Sequence, residues 1–229
     1  LGDVYKRQAY RHPEYNDCTD DRVQALAVVS GIAEQDKYPY IIDLFKKQFY
    51  ASPYMEKYVM EALFVMGEGK YAMERMQKRF APMVNHPFYT TLFEGWDIGP
   101  NGFGGGTVNH AWSGGPLIVI ARYVCGIEPL DAAYKTFRIA PDDTYLHQAA
   151  ITIPTIAGEI RSSFESSDKD FKMEITVPKN TQAIPQLPNS VNGEVRVNGK
   201  VLSEQGCALS AGTYTILAKK IDKFKNLKP

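Results

Sequence analysis

Two hydrophobic periodicities divide the chain. From about Asp20 to Cys125 apolar residues recur at helical spacing, and after Gly126 they recur every second residue. Asp20 and Asp21 supply an N-cap and an acidic first turn ahead of Val23, Leu26, Ala27 and Ser30. The stretch Ala25 to Ala33 is apolar almost all round, which predicts a helix buried on most sides with Leu26 and Val29 in the core. The next segment, Lys37 to Tyr50, sets Ile41, Leu44, Phe45 and Phe49 against Asp43, Lys46 and Lys47, so it predicts an amphipathic helix. Ser52-Pro53 is a cap followed by proline at the first helical position, and it opens a mostly apolar helix ending near Gly67. Lys70 to Ala81 is amphipathic again, with Tyr71, Met76 and Phe80 opposite Glu74, Arg75, Lys78 and Arg79. Asn109 to Val124 predicts a last, largely apolar helix stopped by Gly126. Buried and amphipathic helices in strict turn predict two concentric layers, as in an α/α toroid. Leu63 and Val119 are expected inside it.

The second half reads as short strands. Phe137 and Ile139 flank Arg138, Ile151 pairs with Ile153, and Ile160, Ser162 and Phe164 share one face. Phe171, Met173, Ile175 and Val177 oppose Lys172, Glu174 and Thr176. Val195 to Val201 is a hairpin turning on Asn198-Gly199, and Thr213 to Ala218 is a final strand. This spacing predicts an antiparallel β-sandwich over 132–220. The boundary falls in Gly126 to Leu130, giving domains 1–127 and 128–229. Leu1 to Gln8 shows neither periodicity and does not begin with Met, so it is expected to be foreign sequence or the torn end of a longer protein.

Composition narrows the function. Lys plus Arg and Asp plus Glu are equal at 26 each in 229 residues, so the chain has no basic footprint for nucleic acid or anionic lipid. A neutral ligand fits better. The 14 Tyr, 11 Phe and 2 Trp suit sugar stacking, although most such rings pack in cores. Cys18, Cys125 and Cys207 lack metal-ligand or redox spacing, so buried free thiols are expected, with no metal and no cofactor. The longest apolar run, Pro116 to Ala121, is too short to span a bilayer. No localisation signal is legible.

The candidate chemistry lies in the connection from Phe88 to Trp112. One of its carboxylates, Glu94, is flanked by Phe93 and Trp96, and a glycine-rich run and then His110 and Trp112 follow. Sugar sites need a carboxylate for proton transfer, aromatic faces for the C–H side of the ring, and polar groups for hydroxyls. All of these occur here, although a Glu beside a Gly is also what a solvated helix end looks like. A structureless loop longer than about 12–15 residues is usually functional or disordered, and two tryptophans argue against disorder. Gly102 to Thr107 lacks the ending of a Walker loop and follows no apolar strand. His110 has no second ligand at metal spacing, which leaves hydrogen bonding to a hydroxyl or a satisfied core position.

Three segments carry a family likeness: Asp20 to Ala33, Thr90-Thr-Leu-Phe-Glu-Gly-Trp96, and His110-Ala-Trp-Ser113. They resemble bacterial α-L-rhamnosidases of glycoside hydrolase family 78. Pro129-Leu130 followed by Phe137 to Pro141 resembles that family's passage from its barrel into a C-terminal sandwich. The resemblance implies an (α/α)6 barrel, about half of it supplied here, followed by the β-sandwich. It implies an inverting hydrolase that removes terminal α-L-rhamnose, with Glu94 as general base and a pocket lined by Trp96, His110 and Trp112. It assigns no general acid: Asp17 to Arg22 is only superficially like the family's acidic cluster, and the acid is expected in a missing N-terminal part of the same chain. Two alternatives stand beside this reading, another α/α-barrel glycosidase or lyase and a non-catalytic carbohydrate-binding remnant. The partner in each case is a carbohydrate.

Overall fold

A computed structural model of the chain describes residues 9–10, 14, 19–97, 106–201 and 207–220, which fall into two compact units, Leu1–Val119 and Ile120–Pro229. The first is helical: α1 (Asp21–Val29), α2 (Tyr38–Lys47), α3 (Pro53–Val65), α4 (Gly69–Val84) and α5 (Gly115–Val119). The expected caps are present. The Asp20 carboxylate accepts from the Arg22 N–H at 2.7 Å, and the Ser52 hydroxyl accepts from the Met55 N–H at 3.3 Å ahead of Pro53. α3 is the central helix, packed by α1, α4 and α5. Ala25, Val28, Ile41, Phe45, Val59, Ala62, Leu63 and Ala72 form the core around it.

The face that α1 buries differs from expectation. Asp21, Gln24, Ala25 and Val28 point inward, whereas Leu26 is 45% and Val29 38% exposed. A helix apolar on every side carries no internal signal for its inner face, and the polar Asp21 is drawn in by the buried Arg75. The expected helix from Asn109 to Val124 is broken into a 3-10 turn at Ala111–Gly114, α5, and a π turn at Ile120–Val124. Leu63 and Val119 are fully buried as expected.

A buried ionic cluster organises this unit. The Arg75 guanidinium donates to Glu56 at 2.5 Å and 3.1 Å, to Asp21 at 3.2 Å and to the Phe45 carbonyl at 2.5 Å. Arg79 joins through Glu56 at 2.5 Å and the carbonyls of Phe49 and Ala51 at 3.2 Å and 3.1 Å. Two carboxylates thus meet two guanidiniums, and the connection between α2 and α3 is tied down by its own carbonyls. Burial pushes the Asp21 carboxyl above its ordinary range, opposed by the Ala51 N–H and by Arg75.

The second unit is mostly antiparallel β structure. Strands β1 (Ile127–Pro129), β2 (Thr136–Ile139) and β6 (Gln182–Pro185) form one sheet. The other holds β3 (Gln148–Thr155), β4 (Gly158–Ser166), β5 (Asp170–Val177), β7 (Val195–Val197), β8 (Lys200–Val201) and β9 (Gly212–Lys219), in the order β3-β4-β5-β9-β7-β8. Ile127, Phe137, Ile139 and Ala183 of the first sheet share a core with Ile160, Phe164, Phe171, Met173, Ile175 and Ile216 of the second. Phe171 and Ile175 are buried as their alternation predicts, and Asn198-Gly199 turns the hairpin with φ of 49° and 81°.

One pair departs from the antiparallel expectation. β6 runs parallel to β2, with Phe137 opposite Ala183. Alternation within a strand cannot encode this, because the chain passes from β5 of the larger sheet to β6 of the smaller one, and the direction in which it meets β2 is set by that long-range crossing.

Gly126 is more than a helix stop. Its φ is +68°, and a Cβ built there would lie 1.9 Å from the Ala140 carbonyl oxygen, while Ala140 N–H donates to Gly126 O at 3.0 Å. Gly126→Ala is expected to destabilise the β unit by about 2–3 kcal/mol or more, since strained φ and backbone overlap add. Denaturant unfolding followed on β-sheet ellipticity checks this, and an unchanged midpoint would refute it.

A polar latch closes the same unit. Asp143 Oδ2 accepts from Ser166 and Ser190 hydroxyls at 2.6 Å and 2.8 Å and from Lys220 Nζ at 2.6 Å. Burial alone would raise this carboxyl, but the Lys220 ammonium and the two hydroxyls outweigh it and hold it below the ordinary range. A folded value below the unfolded one means the latch stabilises fully above the unfolded pKa and is lost as pH falls through the folded one. Asp143→Asn is therefore expected to cost stability at pH 7, with the gap to the parent chain narrowing below about pH 4. A gap that stays constant from neutral to acid pH in urea titrations would rule this out.

Candidate functional site

The site residues sit on two short limbs of unit one that pair like the base of a hairpin. Glu94 N–H donates to Thr107 O at 2.9 Å, and His110 N–H donates to Leu92 O at 2.9 Å. Thr91 hydroxyl bonds the Val108 carbonyl, and Ser113 hydroxyl donates to Phe93 O at 2.5 Å. Phe93 is 2% exposed, so the limb is anchored by a buried ring directly before Glu94. Residues 98–105, which include Gly102, Gly104 and Gly105, and also Asp17 and Cys18, lie outside the described residues.

Thr107 then holds the carboxylate. Its N–H donates to Glu94 Oε2 at 3.0 Å and its hydroxyl to the same oxygen at 3.2 Å. His110 Nδ1 lies 2.9 Å from that hydroxyl and 3.5 Å from Glu94 Oε2. The hydroxyl has one proton; when it goes to Glu94, His110 Nδ1–H donates to the Thr107 oxygen. The Thr107 N–H is the largest influence on Glu94; with the Thr107 hydroxyl and nearby His110 it outweighs the opposing effect of desolvation and holds the carboxyl below the ordinary carboxylate range. Glu94 is thus a partly exposed carboxylate, ionised at neutral pH. Every bond to it from the described residues reaches Oε2.

His110 continues into aromatic contacts. Its ring centroid is 4.2 Å from Trp112, whose ring lies 5.3 Å from Tyr54 on α3. Glu94, His110 and Trp112 are therefore brought into one connected group. Trp96 is placed differently. Its indole N–H donates to the Ala51 carbonyl at 2.7 Å, its ring meets Phe80 edge-on at 5.0 Å, and Arg79 lies 4.1 Å over it. Trp96 thereby ties the turn after Glu94 to the buried ionic cluster. Asp20 caps α1 and pairs with Arg22, and Asp21 pairs with Arg75, so both have structural partners.

Thr107 and Tyr54 did not emerge from the sequence. A hydroxyl three residues before His110, closing a glycine run, was the available signal for Thr107. Tyr54 had none, because only packing of α3 brings it to Trp112. Among the described residues no cluster of His, Cys, Asp or Glu could hold a metal, and no helix is long and apolar enough to cross a membrane.

Comparison with known proteins bears on this arrangement. A family model described as the bacterial alpha-L-rhamnosidase C-terminal domain matches residues 126–202. An alpha-L-rhamnosidase of Formosa agariphila is 31% identical over 117 residues, covering 48% of this chain and 13% of that protein. The solved alpha-L-rhamnosidase from Dictyoglumus thermophilum shares the fold with a TM-score of 0.73 at 17% identity, covering 88% of this chain and 26% of that one. The Streptomyces avermitilis alpha-L-rhamnosidase, solved with L-rhamnose, gives 0.70 at 19%, covering 93% and 23%. A GH78 family rhamnosidase of a Bacillus species gives 0.65 at 22%, covering 80% and 21%. The chain spans about a quarter or less of each of these proteins. Residues 126–202 thus match the C-terminal domain of bacterial alpha-L-rhamnosidases, and the chain as a whole is similar in fold to a part of such proteins.

Proposed function

We propose that these residues form the general-base side of an inverting glycoside hydrolase site that removes terminal α-L-rhamnose from glycans or glycosides. The observation that carries the proposal is Glu94: an ionised, partly exposed carboxylate fixed through Oε2 by Thr107, with His110 beside it. In this reading Oε1 orients a water and takes its proton as the water attacks the anomeric carbon. His110 Nε2 and the ring of Trp112 contact the sugar. Trp96 holds the turn that carries Glu94.

The same proposal makes the helical unit part of an (α/α)6 barrel. Val23, Leu26, Val29 and Ile32 form an exposed apolar line on and just after α1, which further barrel helices of a longer chain would cover. The general acid belongs to that added part, about 6.5–9.5 Å from Glu94 so that a water fits between them. The L-rhamnose bound by the Streptomyces relative fits this substrate class.

The test is stereochemical. A full-length protein containing these residues, given an aryl α-L-rhamnoside, should release β-L-rhamnose first in a proton NMR time course. First release of the α anomer would end the inverting assignment, and no release of rhamnose would end the substrate assignment.

A further inference from the structure

The aromatic contacts do not stop at Trp112. Tyr54 and Trp112 are 39% and 40% exposed, with rings 5.3 Å apart and tilted by 32°. Tyr58, one turn further along α3, meets Tyr54 at 5.9 Å and 77°, and their hydroxyls lie 3.5 Å apart. The Lys57 ammonium sits 4.5 Å from the Tyr58 ring and is held by Glu61 at 3.0 Å. The row is built by close backbone approach. A Cβ at Gly115 would lie 2.7 Å from Lys57 Cβ, so only glycine there lets the Trp112 segment reach α3 at this distance.

Large rings left this exposed in mutual contact, with two phenol hydroxyls side by side, combine apolar faces with hydrogen-bonding groups. A pyranose presents the matching chemistry, a C–H face and a rim of hydroxyls. The row is continuous with Glu94 through Thr107 and His110. We infer that Tyr54 and Tyr58 form a second ring-binding subsite, which takes a neighbouring pyranose of the ligand whose rhamnosyl unit lies at Glu94. This rests on the sugar-site reading above and adds to it the size of the ligand: at least two rings. Tyr54 supplies the ring contact and Tyr58 the second hydroxyl. Neither is asked to take part in proton transfer.

The experiment is a pair of NMR titrations of a full-length protein containing this chain, kept from hydrolysing the ligand by Glu94→Gln, with L-rhamnose and with an α-L-rhamnosyl-glucose disaccharide. Both ligands should shift the His110 and Trp112 signals. Only the disaccharide should shift Tyr54 and Tyr58, and it should bind about tenfold more tightly than rhamnose, the worth of one good ring contact. Tyr54→Ala should erase that advantage, weakening the disaccharide by about tenfold and rhamnose by much less, and Tyr54→Phe should keep most of it because the ring remains. Shifts at His110 with none at Tyr54 and Tyr58, or a full disaccharide advantage in folded Tyr54→Ala, would overturn the second subsite alone. No response of His110 to either sugar would overturn the sugar-site reading together with it.

Discussion

Replacing Glu94 by Gln in a full-length protein containing this chain is expected to lower kcat by at least about 10²-fold while leaving KM nearly unchanged. The amide keeps the shape of the side chain and can still accept the Thr107 N–H and hydroxyl through its oxygen, so the limbs paired at Leu92 and Glu94 stay in place. What disappears is the proton acceptor. Because the folded carboxyl lies below the ordinary range, the parent's activity should also fall on the acid side only when pH drops into that lowered region, and this limb should vanish in the variant. Glu94→Ala supplies the complementary observation. With room at the water's position, azide should attack in place of water and restore part of the rate, giving a β-configured glycosyl azide. Wild-type kcat in the Gln variant would remove Glu94 from the chemistry.

Arg75→Met should be the most damaging single change to the helical unit, with an expected loss of about 3–5 kcal/mol. Arg75 is 2% exposed and joins Glu56, Asp21 and the carbonyls of Phe45 and Gln48. Methionine fills much of the volume but leaves two buried carboxylates with only Arg79 as a cation. One oxygen of Asp21 is already buried without a hydrogen-bond partner, so the cluster has no spare donors to redistribute. Since whole domains are stable by only about 5–15 kcal/mol, such a loss should show as a large drop in the helical unfolding midpoint. A shift equivalent to less than about 1 kcal/mol would mean that water replaces the guanidinium, contrary to this reading.

The two results probe different depths of one connected structure. The ionic cluster holds the Ala51 carbonyl through Arg79, Ala51 accepts the Trp96 indole, and Trp96 ends the turn that begins at Glu94. A residue picked from sequence for its aromatic ring is thus placed as a brace. Indole next to a carboxylate suits either role, and the choice depends on whether the N–H finds a partner, here a carbonyl 45 positions away.

Local order was legible without coordinates. The caps at Asp20 and Ser52, the stop at Gly126, the Asn198-Gly199 turn and the inward face of β5 all follow from interactions within a few residues, where residue type and spacing suffice. So did the grouping of Glu94, His110 and Trp112 on one connection. Tertiary packing decided the rest. It selected the inner face of α1, where Asp21 went in to meet Arg75 and Leu26 and Val29 stayed out. It broke the segment after Asn109 into three kinds of turn, set β6 parallel to β2, and brought Tyr54 to Trp112 across the close contact at Gly115. Each of these depends on which distant surface is available to satisfy a charge, a strand edge or a ring, and periodicity along a chain carries no information about that partner.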